Sequence, residues 1–535
     1  MKYILSLITL WLASSLSAQS TPFDIQLEPM TIQGLGGLQS YTFGQHDGKW
    51  LVVGGRLDGL HRRQPFASFD VAGHNNLIWV IDPVGGQYWS APMTSLPVGI
   101  REQLSSTNMQ FHQDGDYLYT LGGYGFSASA NDHTTYAALT AIQVSSTIDA
   151  IINNRSFTGF FRQITEPLFQ VTGGHLKKIH DVHYLVGGHK FIGRYNPMGP
   201  TSGPGFIQEY TNQIRKFRLQ DDGTNIVISH LPAVTDAANL HRRDYNVVSQ
   251  IMPNGEEGIT AFSGVFQPTA DLPFLNCVNI DSTGYSVNNA FSQYYNHYHC
   301  ANVAVHSASS NEMNTVFFGG IAQYYDNAGL LVQDNNVPFV NTIARVTRDA
   351  AGVMAEYKLP IVMPSLLGAG SEFIPNPSTP KYDNGVVRFD DITSDTTLLG
   401  YIYGGIASSG RNIFFTNTGT QSTASNQLFK VKLIKSRNLG NHVLNEQSVG
   451  TLKVLVMPNP GDGDFTVKFF LKRSGDVKIT LSTIDGILVE DVALSSLSEG
   501  ENVYRNNNSG ILANGAYLLK VDAGYEKAIQ KIIVK

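Results

Sequence analysis

Charge, long apolar runs and basic clusters are all scarce in this 535-residue chain. Charged residues make up 15% of it, against a usual value of about 25%, which disfavours disorder and long exposed helices. The 37 basic and 43 acidic side chains leave a net charge of −6 with no basic block. The electrostatic footprint of a nucleic-acid or anionic-membrane binder is therefore missing. No segment reaches the about 20 consecutive apolar residues of a membrane-spanning helix. Glycine, by contrast, is plentiful, at 52 residues, above the usual share of about 7%. The length exceeds one ordinary core and predicts a large repeat-built domain plus a smaller module.

The N-terminus reads as an export signal over residues 1–18. Lys2 supplies a positive charge, Ile4 to Leu12 is apolar, and Leu16-Ser17-Ala18 places a small residue before Gln19. No cysteine lies near that cut, so a lipid-modified N-terminal cysteine is not available.

Residues 451–535 change character, with short β-rich runs separated by glycine turns in the manner of a small sandwich. Val477, Ile479 and Leu481 alternate and are predicted to face one sheet. The landmarks are Pro458-Asn459-Pro460, Gly463-Asp464-Phe465, Asp485-Gly486, Gly500, Gly515-Ala516-Tyr517 and the terminal run to Lys535. In order and spacing they resemble the C-terminal sorting domain of type IX (Por) secretion cargo. That resemblance implies periplasmic transit, recognition by the type IX machinery, and release or attachment at the outer cell surface. Residues 436–450 lack strand periodicity and are expected to be a linker.

Between these ends an apolar run ending in paired glycines recurs: Trp50 to Gly55, Tyr117 to Gly123, His183 to Gly188, Val316 to Gly320 and Tyr401 to Gly405. A sixth run, Ile259 to Gly264, has Ser263 in place of the first glycine. A further apolar run follows each doublet, often opening on asparagine, as at Asn76, Asn212, Asn276, Asn341 and Asn426. With one strand before and one after, each unit supplies the four antiparallel strands of a propeller blade. This grammar resembles the kelch family. The fold expected for residues 19–435 is all-β, a kelch-like propeller of about six blades, followed by the C-terminal sandwich. At about 70 residues, each unit exceeds the roughly 50 of a kelch repeat, so insertions are expected. The last unit lacks a fourth strand, and Phe23 to Leu27 is expected to complete it.

The insertions follow the doublets and should share one face, a common place for function. They carry Arg62, Arg63, Phe66, Phe191, Arg194, Tyr195, Tyr324, Tyr325 and Arg411. Such residues stack on sugar rings or anchor a protein partner; the alternative is that they pack the loops onto the propeller. Arg101, Arg242, Arg243, His297 and His299 are expected near the axial mouth, where a charged ring would hold an anion; structural hydrogen bonding is the competing reading. His297 and His299 alternate and are the weak metal candidates. In an exported protein Cys277 and Cys300 read as a disulfide, with free thiols as the alternative.

No phosphate loop, Gly-x-Ser-x-Gly elbow or His-Glu-x-x-His motif occurs. The sequence therefore favours an extracellular protein that binds glycan or protein and needs no cofactor. The alternative is a propeller enzyme at the axial mouth, carbohydrate-active or similar to the copper radical oxidases, whose motif does not transfer residue by residue.

Overall fold

The computed structural model describes residues 23–64, 66–196, 205–327, 330–435, 447–448, 452–471, 473–483, 487–507, 512–523 and 527–535. The expected signal at residues 1–18, Gly486 and most of the expected linker lie outside them.

Six antiparallel blades account for residues 23–435. Blade 1 runs Thr42–His46, Lys49–Val53, Leu77–Asp82 and Gln87–Pro92; blade 2 runs Gln110–Asp114, Tyr117–Leu121, Ala138–Gln143 and Phe161–Thr165. Blade 3 is built from His175–Ile179, Val182–Val186, Gln213–Asp221 and Ile226–Thr235, and blade 4 from Asn246–Ile251, Glu257–Phe262, Cys277–Asp281 and Tyr285–Asn288. Blade 5 comprises Asn302–Ser307, Glu312–Ile321, Phe339–Arg348 and Met354–Val362, and Gln447–Ser448 adds to its outer edge. In blade 6 the strands Ser371–Pro375, Thr396–Gly404 and Leu428–Lys435 are joined by Phe23–Met30, which pairs with Leu428–Lys435 from Phe23↔Lys435 to Met30↔Leu428. The N-terminal strand thus supplies the missing fourth strand of the last unit, and the fold is an all-β propeller.

Second strands are buried on both faces, which is why they read as continuous apolar runs rather than alternating ones: Trp50, Leu51, Val52 and Val53 are all buried. Their side chains feed cores that lie between successive blades. Leu51, Val53 and Ile78 meet Leu118 and Ile142 across blades 1 and 2. Trp50, Val52 and Trp79 meet Tyr401, Tyr403 and Leu428 across blades 1 and 6. Each fully buried side chain of this kind contributes about 1.5–3 kcal/mol of transfer free energy.

The glycine doublets sit where the chain entering the next blade passes. Gly54 and Gly55 have φ of 71° and 84°, and a Cβ on Gly122 would stand 1.9 Å from the carbonyl oxygen of Val171. The second glycine donates its N–H to that incoming segment: Gly55 to Ser106 at 2.9 Å, Gly123 to Val171 at 2.9 Å, Gly188 to Arg242 at 2.7 Å, Gly320 to Leu367 at 2.8 Å. Gly405 does the same to Leu38 of blade 1 at 2.8 Å. Ser263 accepts the left-handed position at φ 52° and ties its hydroxyl to Phe274 O at 2.6 Å.

The C-terminal segment forms two sheets, one of Lys453–Met457, Asp464–Leu471 and Gly500–Asn507, the other of Leu488–Leu497, Gly475–Thr483, Gly515–Asp522 and Lys527–Val534. Val477, Ile479 and Leu481 face a core shared with Phe465, Val467, Leu519 and Val521. The Asn459 side chain donates to Lys531 O at 2.7 Å and accepts from Ile533 N at 2.9 Å, fastening the Pro-Asn-Pro turn to the last strand. Tyr517 hydrogen-bonds Ala513 O at 2.7 Å, and Lys535 N–H reaches Gly461 O at 2.9 Å. Gly463 and Gly500 take φ of 104° and 108°, which a side chain would strain. Among the described residues no helix is long and apolar enough to cross a membrane.

Candidate functional site

The insertions after the doublets are not plain loops. Those of blades 2 and 3 build one extra sheet from Tyr124–Ser127, Asp132–Thr135, His189–Ile192 and Ile207–Tyr210. Blade 5 contributes the hairpin Tyr324–Asn327/Leu330–Gln333, and blade 6 the pair Ile406–Ser408/Ser422–Ala424. Hydrogen bonds tie these insertions and that of blade 1 to one another: Asn417 Nδ2 to Leu60 O at 2.6 Å, Phe339 N to Arg411 O at 2.9 Å, and Arg194 Nε to Ser68 O at 2.8 Å.

The rim residues divide into two groups. Phe191 is 6% exposed and packs on Tyr124, His189 and Tyr195; Tyr195 also meets His61 edge-on at 5.1 Å. Arg62 pairs with Asp70 at 3.4 Å. Arg194 is spent on Ser68. These side chains hold the rim together. Burial, then the positive neighbours Arg243, Arg63 and Arg56, push the His61 imidazole down to about 4, so it is neutral.

The second group is exposed or half-buried. Phe66 and Phe415 are 57% and 61% exposed. The Arg63 guanidinium lies 4.4 Å from the Phe415 ring centroid, and Arg411 lies 4.4 Å over Tyr325. Neither guanidinium has a carboxylate partner among the described residues, whereas Arg56 is paired with Asp58 at 2.6 Å. Tyr324 rests edge-on against Tyr294 at 4.9 Å.

Along the axis the six first strands enclose a cavity of about 240 Å³. Its ionisable lining is Tyr41, His175, Lys177, Asp244, His299 and Glu372. His299 Nε2 stands 2.9 Å from Glu372 Oε1. Burial opposes the charge on His299, but Glu372 and then Asp244 outweigh it and raise its pKa. His175, 5.2 Å from the His299 ring, is driven far down by burial and by His299 and Lys177. At the mouth Asp244 is ion-paired with Arg243, whose Nε also donates to the Tyr210 hydroxyl at 3.0 Å. At the other end Asn384, on the excursion between Pro375 and Thr396, reaches Gln250 O at 3.1 Å, and Val387–Arg388 pairs with Val305–His306.

Several expected site residues lie elsewhere. Arg101 belongs to the helix Val98–Leu104 between blades 1 and 2 and does not line the cavity; the neighbouring Glu102 receives Ser127 Oγ at 2.8 Å. Arg242 is 1% exposed, stacks at 4.0 Å on Phe274 and donates to Asn239 O at 2.6 Å and Asn276 O at 3.1 Å, so it braces carbonyls and is no mouth residue. His297 and His299 do not converge. His297 is fully buried, with one ring nitrogen 2.9 Å from Gln293 O and the other accepting from Gln323 N at 3.0 Å. Among the described residues no group of three or more His, Cys, Asp or Glu side chains is placed to hold a metal ion.

The expected Cys277–Cys300 disulfide is also absent: both thiols are free and buried. Each sulfur is engaged separately, Cys277 with Met354 Sδ at 3.7 Å and Cys300 with Asn246 Nδ2 at 3.8 Å. His175, Lys177 and Glu372 were not foreseen. For His175 and Lys177 the signal was the His-x-Lys alternation directly after Gly173-Gly174, the start of a first strand.

Residues 455–535 match the family of the secretion system C-terminal sorting domain, the Por secretion tail. This tail carries the protein out of the cell, to secretion or attachment at the cell surface, and implies an interaction with the type IX machinery. No curated protein matches the chain. Among solved structures, YjhT is similar at 11% identity and TM-score 0.39, over 75% of this chain and 98% of its own. A fungal alcohol oxidase of the AA5 family, in complex with copper, is similar at 10% identity and TM-score 0.36, over 96% of this chain and all of its own, 100%. Likenesses this distant assign no activity.

Proposed function

We propose that this is an extracellular propeller, of kelch-like build, that binds a glycan or protein through the rim of inserted hairpins. The reading rests on Arg63 lying over the exposed ring of Phe415. A guanidinium without a carboxylate partner beside an aromatic face suits a sugar ring or peptide bearing an acidic group. Phe66, Arg411, Tyr325 and Tyr324 extend the same surface, while Phe191, Tyr195, Arg62 and Arg194 support it from beneath.

The test is a glycan and surface-protein binding screen on the full secreted chain, repeated with Arg63→Ala and Phe415→Ala. Each substitution is expected to weaken the ligand found by about tenfold, the scale of one desolvated cation–π contact at about 1–2 kcal/mol. A ligand held equally well by the double variant would place recognition elsewhere.

A further inference from the structure

The axial cavity presents a cation with no partner. Lys177 lies on the first strand of blade 3, two residues from His175, so the two side chains leave the strand on one side. Lys177 makes no hydrogen bond or ion pair among the described residues. The acid whose field it feels is Glu372, and Glu372 already holds His299 at 2.9 Å. Asp244, the other carboxylate of the lining, is taken by Arg243. The wall therefore carries a half-buried lysine whose ammonium meets no hydrogen-bonding or ion-pairing side chain among the described residues. An enclosed ammonium is costly unless an anion or water meets it.

We propose that the axial cavity is a second binding site, for a small organic carboxylate held by Lys177 with His299 beside it. At about 240 Å³ the space falls below the roughly 300–1,000 Å³ of pockets for drug-sized ligands. The ligand is therefore small. Met109, Phe111 and Val247 line the wall, so the molecule pairs its carboxylate with a short apolar body. A flat, two-oxygen anion fits between an ammonium and an imidazole ring better than a fully hydrated tetrahedral one in such a wall. This site is separate from the rim and stands or falls without it.

Benzoate, lactate and inorganic phosphate are each titrated calorimetrically into the full-length protein and into Lys177→Met and Lys177→Gln. The expected result is saturable one-to-one binding of a carboxylate, weakened at least tenfold in both variants. The melting temperature of the unliganded variants should equal or exceed that of the parent, because an unpaired ammonium has been removed. Arg63→Ala should bind the carboxylate unchanged. Absence of saturable carboxylate binding, equal binding by the variants, or binding of phosphate alone would overturn the proposal. So would loss of folding in both variants, which would make the lysine a structural residue.

Discussion

The hydroxyl of Tyr41 donates to the carbonyl oxygen of Tyr403, 362 residues away along the chain, at 3.0 Å. Tyr403 answers by donating its own hydroxyl to Gly36 O at 2.6 Å, and the two rings pack at 5.6 Å. Both tyrosines are buried, so this pair pins blade 1 to blade 6. Tyr41→Phe keeps the ring and removes the donor. It should cost about 1–3 kcal/mol, the penalty for leaving a buried acceptor short of a partner. Urea unfolding reads the effect; an unchanged midpoint would mean that the pin carries no weight.

The two cysteines should behave as inert thiols. Burial pushes Cys277 and Cys300 both up to about 12, and the thiolate is the reactive form. Intact-mass spectrometry after iodoacetamide at pH 8 should show no adduct on the native protein and one on each cysteine after denaturation without reductant. A mass that takes up alkyl groups only after reduction would establish a disulfide instead.

Glu356 makes the fold less stable as pH rises from about 4.5 to about 8. Its carboxyl is enclosed in blade 5 and accepts the N–H groups of Tyr294 and Tyr295, yet burial raises its pKa from 4.5 to about 8. The folded state therefore binds a proton that the unfolded state releases between those values. Its stabilising share is present in full below about pH 4.5 and is lost as pH rises through about 8. Glu356→Gln keeps an acceptor and cannot ionise. The melting temperature of the variant should gain on the parent as pH goes from 5 to 8 and then hold level; a gap that does not change with pH would refute the assignment.

Removal of residues 452–535 should abolish delivery. In the native host the truncated chain should accumulate inside the outer membrane, read by fractionation and surface proteolysis. Efficient surface delivery of the truncated chain would show that the tail is not the address. A finer version is Gly463→Val: at φ 104° a branched side chain strains the turn, so delivery should fall without loss of the propeller.

The blades were legible because one steric requirement recurs. In five of the six blades the chain of the next blade crosses the end of the second strand so closely that the sequence shows Gly-Gly there, while blade 4 accommodates Ser263 at the first position. The sorting domain was legible for a similar reason, its turns needing Gly463 and Gly500 at positive φ. The chemistry of the axis was not. Which side chains reach a propeller axis depends on the register of six separate strands, and Arg101 and Arg242 differ from Lys177 only in where a connection ends and a strand begins. His297 and His299 alternate in sequence, but the segment before blade 5 is irregular there, so alternation does not place them on one side. The disulfide failed because spacing and compartment say nothing about where two sulfurs point.

Phe23 is paired with Lys435, and this sets an order of events. A chain emerging from its N-terminus presents its first strand long before the partner exists, so the opening segment must wait, extended, while five blades are made. Contacts so distant in sequence slow folding. The propeller locks only when Leu428–Lys435 arrives, and the first strand of the sorting domain opens 18 positions later, at Lys453. Completion of the cargo and appearance of its label are thus nearly simultaneous, and a chain cut short anywhere upstream lacks both.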